Sequence, residues 1–329
     1  MTQRFTTKTI AFCALLACST GLLSTAHAQT KLKWAHVYET SEAYHKQAVW
    51  AAEEVKKRSN GKYEIQVFPA STLGKETDIN QGLTLGSVDI IYTGAAFAGR
   101  AYPPISIAAA PFVFRDYAHW SNFRSGPVFK ELAMGYEKAT GGHHIAGYTY
   151  YGLRHMTSNK PIAKPEDMKG MKLRVPDAPL FTMFPKAVGA NPTPIAFAEV
   201  YLALQNGTVD AQENPLPTID AKKFYEVQKY ITLTGHITES LVTVISSSTW
   251  KGLPEADKQL MNEVLWEASS RASKDILDAE TSLVAEFEKR GKTVNKVDRA
   301  PFAAAVKAPM TAADAPWSRD LYDRMQAIK

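Results

Sequence analysis

Cysteine is nearly missing. The chain of 329 residues carries two, Cys13 and Cys18, both close to its start. Beyond Cys18 the chain has no cysteine, so that part can form no disulfide, no thiolate metal site and no thiol nucleophile. An excess of one charge is missing too. Lys and Arg number 38 against 33 Asp and Glu, a formal +5 with no basic block. That balance argues against a nucleic-acid partner. After the first few turns no apolar run is long enough to cross a bilayer. Low-complexity linkers and short internal repeats are absent as well.

The start of the chain reads as a leader. Arg4 and Lys8 precede a mostly apolar run from Thr9 to Leu23, and Ala26-His27-Ala28 has the small-x-small form of a cleavage site. This predicts a secretory signal peptide over 1–28, cut after Ala28. Losing Arg4 and Lys8 lowers the formal charge from +5 to +3. A lipoprotein signal ending at Cys18 is the alternative, and bulky Leu16 speaks against it. The remaining chain, about 300 residues, is too long for one ordinary core and predicts two domains.

Periodicity predicts an α/β chain. Strands are expected at Leu32–Val37, Tyr63–Phe68 and Val88–Tyr92, with helices between them, the first N-capped by Ser41. In such parallel sheets ligands bind beyond the carboxyl ends of strands, often at a helix N-terminus. That rule places His36 to Glu39, Glu76, and Thr93 to Phe97 around one mouth. A helical region follows over Tyr117–Lys138, and a strand over Ile145–Tyr151. A second α/β unit runs from Lys172–Val175, through a turn at Pro192-Thr193-Pro194, to strands Val209–Gln212, Tyr230–Thr234 and Leu241–Ser246. From Pro254 to Arg290 the chain has neither Gly nor Pro inside a helical period, which predicts one helix of about 50 Å bracing both domains. Thr293-Val294 is a short strand.

Three motifs invite chemistry. Arg154 and Arg174 sit inside apolar, strand-like runs, and Asn214-Pro215 follows a third. Buried arginine needs an anion. Whether that anion is a ligand or a protein carboxylate is open from the residues alone, and Asp177 is one internal candidate for Arg154. His143-His144 has the look of a metal pair, but no third ligand stands near and a solvated loop is expected. Ser246-Ser247-Ser248 lacks the Gly-x-Ser-x-Gly setting of a nucleophile. A glycosidase pair of carboxylates is the enzyme alternative, and no motif favours it.

Several segments together resemble a known family. Phe68-Pro69-Ala70-Ser71-Thr72-Leu73-Gly74, Leu173-Arg174-Val175-Pro176, Phe197 to Gln205, Gln212-Glu213-Asn214-Pro215 and Lys223 to Lys229 resemble, in order, the DctP-type solute-binding proteins of TRAP transporters. The resemblance covers essentially the whole chain after residue 28. It implies a two-lobed periplasmic binding-protein fold with a long helix bracing both lobes: residues 29–151 plus 240–280, and 152–239 plus 281–329. It implies a periplasmic receptor for an organic acid, delivered to membrane permease subunits, with no catalysis, cofactor or metal. By its motif positions, Arg174 pairs with the ligand carboxylate, helped by Arg154 and Asn214. Glu213 and His236 form a buried pair orienting Arg174, and Phe197 packs on the ligand. Glu76, Gly94 and Phe97 contact the rest of it. His36 and Glu39 are added by the strand-end rule. Acceptors such as Glu39 and Glu76 suit hydroxyls and repel a second carboxylate. The expected ligand is therefore a sugar acid, a hexuronate such as glucuronate or galacturonate first. The alternatives are another hydroxy or keto acid, a C4-dicarboxylate, a receptor that serves a sensor kinase, or a secreted hydrolase.

Overall fold

The structure is a computed structural model, and it describes residues 29–329. The expected signal peptide, its cleavage site and both cysteines lie outside the described residues. Among the described residues no helix is long and apolar enough to cross a membrane, and no group of three or more His, Asp or Glu could hold a metal.

Nine strands form one mixed sheet: β1 (Thr30–Ala35), β2 (Tyr63–Phe68), β3 (Ile90–Gly94), β4 (His144–Ser158), β5 (Lys172–Val175), β6 (Asn191–Pro194), β7 (Ala211–Pro215), β8 (Tyr230–Ile245) and β9 (Thr293–Lys296). Their order is β2-β1-β3-β8-β4-β7-β5-β6, with β9 on β8. At one end β1 pairs in parallel with β2 and β3; at the other, β5 pairs in parallel with β6 and β7. Each parallel half is doubly wound with β1 or β5 in its middle. Both halves point their strand ends at the middle of the molecule.

What joins the halves is a pair of long antiparallel strands. The sequence pattern predicts three short strands where β4 and β8 run for 15 and 16 residues. β8 pairs with β3 through Leu241–Ile245 and with β9 through Tyr230–Leu233, while β4 reaches β7 through Arg154–Ser158. The β4–β8 ladder shifts register between Tyr150 and Gly152 and again between Arg154 and Met156. Gly152 is required there. Its φ of +119° is open to glycine, and an added Cβ would lie 2.7 Å from Glu280 Oε1 and 2.8 Å from Pro215.

The long helix spans Glu255–Lys289 and packs along β4 and helices Ala43–Arg58 and Leu216–Ala221. Its first half buries Met261, Val264, Leu265, Ala272 and Ile276 in the large core under β1–β5. Leu283 and Phe287, two turns further on, belong to a separate core with Val200, Leu204, Ile219 and Phe224. Between them Glu280 accepts hydrogen bonds from Leu153 N at 2.6 Å and Tyr150 Oη at 2.9 Å, and so clamps the first bulge.

Other expectations change in detail. Pro192 and Pro194 lie in β6 and not in a turn; β6 is the sheet's edge strand, where a missing N–H costs no ladder bond. The region after Tyr117 is two helices, Tyr117–Ser125 and Pro127–Ala139, divided at Gly126. Glu42, not Ser41, precedes the first helix. His143 and His144 are not a solvated loop. His143 is buried and accepts from Ser247 N at 2.9 Å, and His144 opens β4 and stacks on Trp250 at 3.8 Å.

Candidate functional site

A cavity lies between the two halves, where the carboxyl ends of β1, β3, β5, β6 and β7 converge. From the second half come Arg174, Ile195, Phe197 and Asn214; from the first come Tyr38, Glu76, Gly94 and Phe97. The crossing strands add Tyr151, Arg154 and Glu239 to its lining. Seven of the nine residues expected to touch a ligand line this one space.

Arg174 projects from the central strand β5 and is 1% exposed. Its Nε and Nη2 both donate to the Ile195 carbonyl, at 3.0 and 2.7 Å. Its buried Nη1 has no partner among the described residues. Burial draws the Arg174 pKa down to about 10, Glu213 opposing and Arg154 adding to the fall. The group stays cationic at neutral pH. A desolvated guanidinium edge with an unfilled donor is a strong carboxylate receptor.

Arg154 has its own partner. It grips Glu213 through Nε to Oε2 and through Nη2 to Oε1 at 2.7 Å, and Nη2 also reaches the Glu213 carbonyl at 2.8 Å. This corrects the expected pairing: Glu213 holds Arg154, not Arg174. The register explains it. Met156 lies opposite Glu213, so Arg154 is its same-face diagonal neighbour across β4 and β7. Burial opposes ionisation of Glu213, but Arg154, with His236, lowers its pKa to about 2. Burial likewise opposes the charge on Arg154, and Glu213 more than offsets it. His236 Nε2 sits 3.3 Å from Glu213 Oε2, outside hydrogen-bond alignment, while its ring stacks on Phe184 at 4.1 Å. Asp177 is not the partner of Arg154 either; it receives Arg100 Nη2 on its backbone carbonyl at 2.5 Å.

Asn214 gives one amide hydrogen to Gln212 Oε1 at 2.6 Å and accepts from Tyr151 Oη at 3.3 Å. Its second amide hydrogen remains for the cavity. Across the space, Glu76 opens helix Glu76–Leu85 and turns back to accept from Gly94 N at 2.8 Å and Thr93 Oγ1 at 2.9 Å. Burial raises its pKa, against those two bonds. Phe97 and Phe197 form apolar walls.

His36 and Glu39 do not reach the cavity. The His36 ring turns behind β1, where Nε2 meets His45 Nδ1 at 3.2 Å and Nδ1 accepts from Tyr38 N at 3.2 Å. Burial, then His45, holds His36 neutral with a pKa of about 3. Glu39 sits at the rim and pairs with Lys222 of the opposite half at 2.7 Å. The strand-end rule found the right turn but not the right side chain, which is Tyr38. Tyr151, Phe181 and Glu239 line the cavity without having been singled out. Glu239 falls in the polar stretch Gly235–Ser240 between the two strands the pattern predicts, so no sequence signal marks it.

A family model described as bacterial extracellular solute-binding protein, family 7, matches residues 34–314. The chain belongs to this family. A solute-binding protein of Roseobacter denitrificans is 35% identical over 296 residues, covering 89% of this chain and 90% of that protein. Its crystal structure, with bound L-galactonate, superposes with a TM-score of 0.84 at 32% identity, covering 91% of this chain and 98% of that one. The sialic acid-binding periplasmic protein of Vibrio cholerae is 34% identical over 86% of this chain and 88% of its own. A TRAP periplasmic solute-binding protein from Polaromonas, bound to D-erythronate, gives a TM-score of 0.87 at 34% identity, covering 92% of this chain and 99% of that chain. The family 7 member described here therefore has the two-lobed architecture of TRAP solute-binding proteins, and its relatives are binding proteins.

Proposed function

We propose that this chain is the periplasmic receptor of a TRAP transporter and that it binds a sugar acid for delivery to the membrane permease. The observation that carries this reading is the buried, unfilled Nη1 of Arg174, facing a cavity whose far wall is Glu76. The ligand carboxylate takes the Arg174 edge and the free amide hydrogen of Asn214; Arg154, held by Glu213, adds positive potential. Hydroxyls reach Glu76, and the sugar's apolar faces lie on Phe97 and Phe197. A second ligand carboxylate would meet Glu76, so a hexuronate such as D-galacturonate or D-glucuronate is preferred to a dicarboxylate. An open-chain aldonate is the second reading, favoured by the galactonate and erythronate in the related structures. In this reading the lobes, 29–151 plus 240–280 and 152–239 plus 281–329, close on the ligand. The leader is removed on export, by cleavage after Ala28.

A thermal-shift screen tests it, because stabilisation follows occupancy. Uronates or aldonates should raise the melting temperature and succinate should not. A shift with succinate alone would overturn the sugar-acid reading, and turnover of a glycoside would replace it with an enzyme.

Gly94 gives a second check. Its φ of −70° suits any residue. An added methyl would enter the cavity 3.7 Å from Phe97, 3.8 Å from Glu76 Oε1 and 3.9 Å from Glu239 Oε1. Gly94→Ala should leave the unliganded melting temperature almost unchanged. Crowding of ~1–3 kcal/mol should weaken binding by about one to two decades in calorimetry.

A further inference from the structure

We propose that Glu239 is a specificity-determining residue, whose free carboxyl oxygen hydrogen-bonds a hydroxyl of the bound sugar acid on the side of the cavity away from Arg174. This rests on the sugar-acid reading and assigns a group that the sequence pattern did not bring forward.

The geometry comes first. Glu239 lies near the middle of β8, is 2% exposed, and lines the cavity. Oε1 is occupied by Ser240 N at 3.0 Å. Oε2 is buried, has no hydrogen-bond partner among the described residues, and stands 3.8 Å from Arg154 Nη1, too far for a direct bond. A buried carboxyl oxygen left unpartnered is costly unless something arrives to fill it. The side chain shares its space with Glu76. The two Oε1 atoms lie 3.9 and 3.8 Å from the point where a Gly94 Cβ would stand. Two carboxyl groups thus converge on the cavity beside Gly94.

Charge decides the form of Glu239. Arg154 is already matched by Glu213, and Arg174 is to be matched by the ligand. The groups facing Glu239 are Arg154, Tyr151 and Tyr148 from β4, Glu213 from β7, Glu76 from its helix and Tyr38 beyond β1. Only one of these is cationic, and it is spent. A ligand carboxylate then makes an ionised Glu239 an uncompensated buried charge. Burial raises its pKa to about 8, against Arg154. Glu239 therefore enters the complex as the acid, and its O–H donates to a ligand oxygen. Because the acid form binds, affinity is level below the free protein's Glu239 pKa. It then falls about tenfold per pH unit above it.

Isothermal titration with D-galacturonate and L-galactonate from pH 6 to 9 tests this, staying below the range where Arg174 titrates. Wild type should lose about fivefold in affinity between pH 8 and 9, the first unit above the Glu239 pKa. Glu239→Gln keeps a donor, so it should bind at pH 7 within a few-fold of wild type and show a flat profile. Glu239→Ala should bind at least tenfold more weakly at pH 7. A flat wild-type profile, or a slope that survives in Glu239→Gln, overturns the assignment while leaving the sugar-acid reading intact. Failure of the wild type to bind either acid overturns that reading, and this assignment with it.

Discussion

Arg174→Ala should weaken binding of any acid that the wild-type chain binds by at least about thirty-fold. The side chain is wholly buried, the residue lines the cavity, and its Nη1 has no partner among the described residues. Truncating one partner of a buried, hydrogen-bonded charge pair costs ~2–5 kcal/mol or more. That is a rise in Kd of roughly thirty-fold to several thousand-fold. The loss should fall on affinity and much less on the fold, since what the fold loses is the bond to the Ile195 carbonyl. Arg174→Lys is the informative companion. It keeps the charge but not the fork, so it cannot hold Ile195 and the carboxylate together. It should recover only a small part of the affinity. Calorimetry giving Arg174→Ala a near-normal Kd, with melting showing it folded, would remove Arg174 from the ligand site.

Arg154→Met should instead act on stability. The Arg154–Glu213 pair is almost fully buried, with side chains 3% and 2% exposed. Removing one member leaves the other charged and unpaired, at a cost of ~3–5 kcal/mol. With an unfolding entropy of ~2.1 cal/mol/K per residue, a chain of this size should lose roughly 5–8 °C in Tm. The pH dependence carries a sign. Glu213 falls from 4.5 to about 2 on folding. A depressed carboxyl contributes stability that is complete above pH 4.5 and lost as pH falls through 2. In Arg154→Met that depression is gone and Glu213 can take up a proton. The deficit measured by urea unfolding should therefore be larger at pH 7 than at pH 4. Equal deficits at both values would mean that Glu213 does not depend on Arg154 for its charge.

Much of the architecture was legible because it follows from local periodicity. Tyr63–Phe68 alternates and becomes β2, and Lys172–Val175 becomes β5. The absence of Gly and Pro between Pro254 and Arg290 marks the long helix to within a residue. The crossing strands were not legible as units. β8 carries Gly235, His236, Thr238, Glu239 and Ser240 in its middle, which breaks an apolar pattern into two apparent strands. Of these only Glu239 lines the cavity; His236 stacks on Phe184 and Ser240 Oγ accepts from Trp120 Nε1, so tertiary partners absorb the polar groups that local pattern reads as a break.

The site divides the same way. Arg174, Arg154, Asn214, Phe197, Glu76, Gly94 and Phe97 are carried by motifs, and the fold brings all of them to one cavity. Which arginine takes Glu213 depends on the register of β4 against β7, and no spacing in the chain encodes that. His36 and Tyr38 both follow β1, and only the packing of His36 against His45 decides which one faces the cavity.

The two long strands have a mechanical consequence. β4 and β8 sit at the centre of the sheet and run from the half that holds β3 to the half that holds β7. Any opening that keeps their ladder intact is a swing about this spine, bending at the bulges beside Gly152 and Met156. Displacement then scales with lever arm. The ion pairs Glu39–Lys222 and Arg100–Asp177 join the two halves away from these strands, so such a swing would part them. A fluorescent pair attached near Glu39 and Lys222 would report the swing with the greatest amplitude, while one placed on the spine would record almost none.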